Sequence, residues 1–302
     1  MFSLVKKIRK NNLPLDIQIE LFEKCIQPIL LYGCEVWSFE NIKLCERLQL
    51  RFLKLILGVK PSTPTCMILG ETGCFPIEID AKARLLSFWY KLTMEDNSDC
   101  LKISCLMLRL SSVQYMHTSY KLPWLDYVYS CLNELGLTFL RYHSVYSLNQ
   151  FKSIVKQRLK DQYLQKWSTN VHENSVCLNY RVFKTEFKME YYLTELSPCL
   201  RRYLLKFRLS NHKLPIHSDR FNGIVREERY CTLCNCNDIG DEFHYLFVCT
   251  NATIIGKRNQ LLKKYYYQFP NMHKFSILMN VCKKSHLSKL ANFVHIIMSM
   301  FE

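Results

Sequence analysis

Glycine and proline are scarce in this chain, 8 and 9 among 302 residues. A fold of many tight turns needs more of both, so an all-β sandwich or barrel is disfavoured. No apolar run approaches the roughly eighteen residues a membrane-crossing helix requires. The first residues, MFSLVKKIRKNN, carry no apolar segment after their basic cluster and do not read as a secretory signal. Acidic residues are also few: 26 Asp and Glu stand against 41 Lys and Arg, a net charge of +15. The sequence has no Asp-Asp pair, no G-x-S-x-G and no phosphate-cradling glycine loop ending in lysine. Paired carboxylates for two-metal chemistry, a nucleophile elbow and a nucleotide loop are therefore not recognisable. No catalytic residue is nominated, and the chain reads as a non-enzyme.

What is present indicates a globular chain. Hydrophobic residues make up 49% and charged residues 22%, enough for two or three small domains with cores of their own. The basic excess favours an anionic partner, with nucleic acid the commonest and a membrane surface the alternative. The 15 cysteines are an odd number. Without a secretory signal they point to a reducing compartment, cytoplasm or nucleus.

The periodicity is mainly helical. Pro14 opens a helix toward Tyr32, with Leu15, Ile19, Phe22 and Ile26 on one face and Pro28 as a kink. Asn41 is placed to cap a helix that ends at Gly58, and Thr63 another beginning at Pro64. Further helices are expected from Pro76 to Lys91, within LKISCLMLRL, from Pro123 to Gly136 and from Ser147 onward. The polar stretch 168–180 reads as a linker. FKTEFKMEYYL, SPCLRRYLLKFRLS, 254–267 and 285–301 also read as helices. The expected architecture is a helical bundle over 1–95, then a helical extension and linker over 96–180. A basic segment with a zinc knuckle and C-terminal helices follows over 181–302.

Four residues carry the sharpest chemical signal. They read Cys231-x2-Cys234-x9-His244-x4-Cys249. Two thiolates from a tight C-x2-C turn, with an imidazole and a third thiolate about one helical turn apart, suit a tetrahedral zinc ion. Gly240 lies between the pairs, where the chain must turn. Cys236 stands two residues past Cys234 and remains an alternative ligand. Most of the other cysteines stand alone in apolar surroundings, as small buried hydrophobes do.

The approach to this motif, 201–230, holds eight basic residues against three acidic ones. Arg201, Arg202, Lys206, Arg208, Lys213, Arg220, Arg226 and Arg229 are candidates for phosphate contacts. Asn211 and His212 are candidate hydrogen-bonding partners of nucleic acid. Tyr203, Phe207 and Phe221 interleave with them and could stack on unpaired bases. The plain alternative is a solvated helix face with core aromatics. Asp238, Asp241 and Glu242 make the metal loop itself acidic, which favours a scaffold role for the ion.

Several stretches together resemble the C-terminal part of LINE-type, non-LTR retrotransposon reverse transcriptases. They are PILLYGCEVW (28–37), FLKLILGVKPSTPTCMILGETGCFPIEIDAKARLLSFW (52–89), FRLSNHKLPIHSDRF (207–221) and CTLCNCNDIGDEFHYLFVC (231–249). Tyr32, Gly33, Glu35 and Trp37 match the family's Y-G-x-E-x-W element. Asn211, His212, Lys213, Leu214 and Pro215 match its N-H-x-L-P element, and Cys231, Cys234, His244 and Cys249 match its metal ligands. The resemblance implies that the 1–95 bundle is thumb-like and followed by a helical extension, that zinc is bound, and that the chain grips template RNA and target DNA; the expected partner is RNA or single-stranded DNA. The family's paired-aspartate palm is not in this sequence, so the expectation is a non-catalytic fragment. Ser218 and Asp219 stand where a glycine is usual. The rival reading is a zinc-stapled helical module that docks onto a protein partner; a weaker one is an enzyme of unrecognised activity.

Overall fold

The computed structural model describes residues 13–93, 123–141 and 145–301. Among them the chain is mainly α, and β pairing is limited to two isolated bridges, Thr72–Met189 and Tyr230–Ile239. The helices are α1 (Leu15–Leu21), α2 (Gln27–Leu30), α3 (Cys34–Leu57), α4 (Thr65–Thr72), α5 (Ile77–Thr93), α6 (Pro123–Glu134) and α7 (Leu148–Glu173). They continue as α8 (Tyr180–Phe183), α9 (Tyr192–Glu195), α10 (Pro198–Arg208), α11 (Pro215–Phe221), α12 (Ala252–Leu261), α13 (Lys264–Tyr267), α14 (Met272–Met279) and α15 (Lys284–Ser299). The helix expected in LKISCLMLRL lies outside the described residues.

Local chemistry explains most boundaries. Pro28 has no N–H to give and its ring crowds the preceding turn. The chain absorbs this with a π-turn over Phe22–Ile26, where the Gln27 N–H bonds back to the Phe22 carbonyl. Gly33, Gly58 and Gly136 adopt φ of +63°, +67° and +65° at helix ends, as L-residues rarely do. Ser147 and Gln150 form a reciprocal capping box at the start of α7: Gln150 N donates to Ser147 Oγ at 3.3 Å and Ser147 N to Gln150 Oε1 at 2.9 Å. Two expected caps are corrected. Asn41 lies inside α3, which begins at Cys34, and Thr63 makes no cap because Pro64 precedes α4.

The described residues divide into two compact units built from discontinuous stretches, and not into three consecutive blocks. The first takes the residues up to Ile19, Leu50–Cys74 and the chain from Trp167 onward; the second takes Glu20–Gln49 and Phe75–Lys166. The expected linker, 168–180, is instead largely helical, with Val171, Cys177 and Tyr180 buried.

The second unit centres on α5, α6 and α7. Trp89, Leu132 and Val155 are buried there, and Tyr90 stacks on Phe151 with ring centres 4.0 Å apart. The Tyr90 hydroxyl donates to the Tyr146 carbonyl at 2.6 Å, which satisfies the polar end of a buried ring. In the Y-G-x-E-x-W element the Trp37 indole N–H caps the Tyr32 carbonyl at 2.9 Å, a helix-end packing role.

The first unit packs α10 against α15, with Leu204, Phe207, Leu290 and Phe293 buried. Residues 184–190 are not helical, contrary to their periodicity. Met189 pairs with Thr72, and Glu190 N donates to the Glu71 carbonyl at 3.0 Å. Gly73 makes the approach possible, since a Cβ there would sit 2.6 Å from the Met189 nitrogen. Tertiary pairing overrides helix propensity at this point.

Candidate metal centre

A short hairpin and a π-turn bring the four sequence-nominated ligands together. Tyr230 pairs with Ile239; Cys231 N donates to the Asp238 carbonyl at 2.9 Å, and Gly240 N to the Arg229 carbonyl at 2.8 Å. The loop between reverses at Asn237, with φ +52°. Gly240 therefore serves close packing and not the turn. A Cβ on it would meet the Pro215 Cγ and Tyr245 hydroxyl at 3.1 Å and the Cys231 Cα at 3.2 Å. His244–Val248 form a π-turn, and Cys249 N closes it onto the His244 carbonyl at 2.8 Å. On an α-helix five residues would leave the two side chains roughly 140° apart. The wider turn and the extended Cys249 backbone bring them to one point.

The ligand atoms of Cys231, Cys234, His244 and Cys249 all lie within 4.8 Å of one another and could hold a metal ion. Cys231 Sγ is 3.9 Å from Cys249 Sγ, and Cys234 Sγ is 3.4 Å from His244 Nε2. His244 thus aims Nε2 inward. Its Nδ1 is buried without a hydrogen-bond partner, and the Asp238 carboxylate, 3.7 Å away, is too far for a direct bond. The Leu233 N–H points at Cys231 Sγ at 3.4 Å. Burial opposes ionisation of Cys234, but backbone N–H groups of Cys236 and Thr250 and neighbouring thiols bring its pKa down to about 6. Burial pushes Cys249 up to about 12; a bound cation would reverse that shift. Cys236 is exposed, faces the Thr250 hydroxyl at 3.3 Å and stands outside the cluster.

Residues that sequence reasoning missed support this centre. Arg258 is 5% exposed and donates to three carbonyls around the π-turn: Leu246 at 2.8 Å, Cys249 at 3.0 Å and Tyr245 at 3.2 Å. Nothing local in the sequence announced this. Asn251 did carry a signal, as a capping residue before α12: its side chain accepts from Thr253 N and Ile254 N. Its amide also reaches the Leu233 carbonyl at 3.3 Å, tying the two ligand pairs together.

The acidity of the metal loop is mostly internal. Asp241 and Glu242 are 9% and 4% exposed. Glu242 Oε1 accepts from Ser210 Oγ and His212 Nε2, both at 2.9 Å, and Oε2 accepts from Asn179 at 2.5 Å. Leu214 N donates to His212 Nδ1 at 3.4 Å, which puts the ring proton on Nε2 and toward Glu242. Burial alone would raise the Glu242 pKa, but His212 and the other donors hold it at about 2.

The nominated nucleic-acid contacts separate into three groups of three, with Lys213 apart from them. Arg208 is 1% exposed and bound to Glu71, while Asn211 and His212 are 6% and 4% exposed. These three serve the interior, which corrects their assignment as contacts. Arg201, Arg202 and Lys206 line a groove of about 540 Å³ floored by Leu55, Leu57 and Leu205. Arg220, Arg226 and Arg229 line a smaller cavity beside the knuckle. Lys213 is exposed. Of the aromatics, Phe207 is core and Tyr203 stacks on His295 at 4.0 Å, so Phe221, 71% exposed, is the ring left at the surface.

No helix among the described residues is long and apolar enough to cross a membrane. No family model matches the chain, and no curated protein or solved structure matches it either.

Proposed function

We propose that this chain is a zinc-stapled, non-catalytic module that binds RNA or single-stranded DNA, equivalent to the C-terminal region of a LINE-type reverse transcriptase. The observation that carries the reading is the geometry of the four ligands. Zinc with Zn–S of about 2.3 Å and Zn–N of about 2.0 Å demands tetrahedral edges of roughly 3.8 Å between sulfurs and 3.5 Å between sulfur and nitrogen. The chain offers 3.9 Å and 3.4 Å. Four protein ligands leave no open position for a reactive water, so the ion is structural. It would hold together a hairpin whose neighbours are strongly basic.

The groove over α10 supports the partner class. Each charged side chain on its lining is cationic: Arg201, Arg202 and Lys206. Arg202 is exposed and Lys206 half-buried, while Arg201 spends one N–H on the Leu193 carbonyl at 3.1 Å. Such a strip neutralises phosphates without reading bases. The test is binding of a short single-stranded RNA and DNA by the zinc-loaded chain across a salt series. The affinity falls steeply with salt, and Arg202→Gln with Lys206→Gln weakens all sequences alike. Binding that ignores both changes removes the reading, and template-primed nucleotide incorporation overturns its non-catalytic part.

A protein-docking role has one observation of its own. In the second unit Ile29, Tyr32 and Val36 are 76%, 86% and 63% exposed. That reading predicts partner capture which survives nuclease treatment and is lost when Ile29 and Tyr32 become polar.

A further inference from the structure

The cavity beside the knuckle measures about 130 Å³. That is well below the about 300–1,000 Å³ of sites that enclose a whole small molecule. A volume of that size suits a compact polyoxyanion better than a whole nucleoside. Its cations come from three places along the chain. Arg229 is fixed: Nε and Nη2 donate to the Ile224 carbonyl at 2.9 and 2.8 Å, and Nη1 donates to the Ile216 carbonyl at 3.0 Å. Two of its five N–H groups remain to donate. Arg226 meets Asp241 only at 3.6 Å. Arg220 is exposed, and no described residue accepts a hydrogen bond from its guanidinium.

The rest of the lining suits an anion as well. Glu242 is the carboxylate there, and both of its oxygens are already occupied by Ser210, His212 and Asn179. Ser210 holds φ +50°, a strained conformation for a residue with a side chain. His217 and the nearby Lys60 complete the surroundings. The metal hairpin sets the geometry directly. The Gly240 N–H bonds the Arg229 carbonyl, and Ile216 N donates to the Gly240 carbonyl at 3.2 Å, so the Arg229 backbone and one of its two side-chain anchors, Ile216, are tied to the returning arm of the hairpin.

We propose that this cavity is a phosphate-binding subsite, formed by Arg220, Arg226 and Arg229 and held in shape by the metal-bound knuckle. Guanidinium forks match phosphate oxygens in spacing and plane. The proposal deepens the nucleic-acid reading and rests on it for the source of the phosphate, a strand terminus or a bridging diester.

The experiment uses the zinc-loaded full chain and short single-stranded RNAs with and without a terminal phosphate. Arg220→Gln is the primary variant because Arg220 is exposed and supports nothing; Arg220→Gln with Arg226→Gln is the second. Metal content and helicity confirm folding, and if the double variant loses either, Arg220→Gln alone decides. Tighter binding of the phosphorylated strand, lost about tenfold in the variants, places a terminal phosphate in the cavity. An equal loss for both strands places an internal phosphate there. Unchanged binding in the variants, while Arg202→Gln with Lys206→Gln weakens it, overturns the subsite and leaves the nucleic-acid reading standing. If no strand binds, that reading fails, and inorganic phosphate decides the subsite by NMR. Shifted His217 ring signals in the wild type but not in Arg220→Gln support it, and unshifted signals overturn it.

Discussion

The Arg208 guanidinium forks onto the Glu71 carboxylate, with Nη2–Oε1 at 3.0 Å and Nε–Oε2 at 3.1 Å, and neither side chain reaches solvent. Its third nitrogen donates to the Met279 carbonyl at 2.7 Å, Glu190 lies 3.3 Å away, and the Tyr192 hydroxyl donates to Glu71 at 2.5 Å. Burial disfavours the charge, but Glu71, Tyr192 and Glu190 overcome this and hold the Arg208 pKa above its ordinary value. One ion pair thus joins α4, α9, α10 and the end of α14.

Removing either partner strands a buried charge. Arg208→Ala and Glu71→Ala should each lower stability by about 3–5 kcal/mol. Arg208→Lys should remain destabilising, because an ammonium cannot fork. Arg208→Met combined with Glu71→Leu should cost far less than the two single changes together. Urea denaturation of each variant gives the comparison.

Metal removal should loosen the first unit. Elemental analysis should find about one zinc per chain, and chelation should lower the melting temperature and the helicity. Cys234→Ser should lose the metal, while Cys236→Ser should keep it, since Cys236 stands outside the cluster. Equal loss from both variants would put Cys236 among the ligands.

His217 should titrate far below an ordinary imidazole. Burial, His212 and Lys60 bring its pKa from 6.5 to about 4. The unfolded chain takes up the proton first, so stability held above pH 6.5 is lost as the pH falls toward 4. NMR titration of the ring reads the value directly, and His217→Phe should flatten stability over that window.

Glu46 works in the opposite direction. Burial and the neighbouring Glu78 raise its pKa from 4.5 to about 7. Here the folded chain holds the proton longer, so a contribution present below pH 4.5 disappears as the pH rises through 7. Glu46→Gln should therefore stabilise the protein at pH 8, by about 1 kcal/mol after solvent screening, and change little at pH 4. Thermal melts at the two pH values test this.

Two glycines should respond oppositely to alanine. At Gly240 the new methyl meets Pro215, Tyr245 and Cys231 at 3.1–3.2 Å, a crowding that costs about 1–3 kcal/mol. At Gly256, inside α12, nothing lies within 4 Å, and lower chain entropy should contribute about 0.5–1 kcal/mol of stability. Denaturation midpoints of the pair read the sign.

Most of the helices were legible because their signals are local. Pro123 and Gly136 bracket α6, Ser147 with Gln150 starts α7, and apolar spacing marks α10 and α15. The stretch 184–190 was misread because its partners, Glu71 and Thr72, lie over a hundred residues earlier. The helix α14 was missed, though Asn271 caps it by accepting from Lys274 N at 2.9 Å.

The sequence by itself determined the helical character, the breaks at proline and glycine, and the four residues that come together as a candidate metal centre. Each of these depends on residues close together in the chain. Only the tertiary structure decided the fate of the charges. Arg208, His212, Asp241 and Glu242 read as surface groups, yet all are buried, because a charge enters an interior when distant partners neutralise it. Arg208 finds its carboxylate 137 residues away, a distance across which no local pattern carries information.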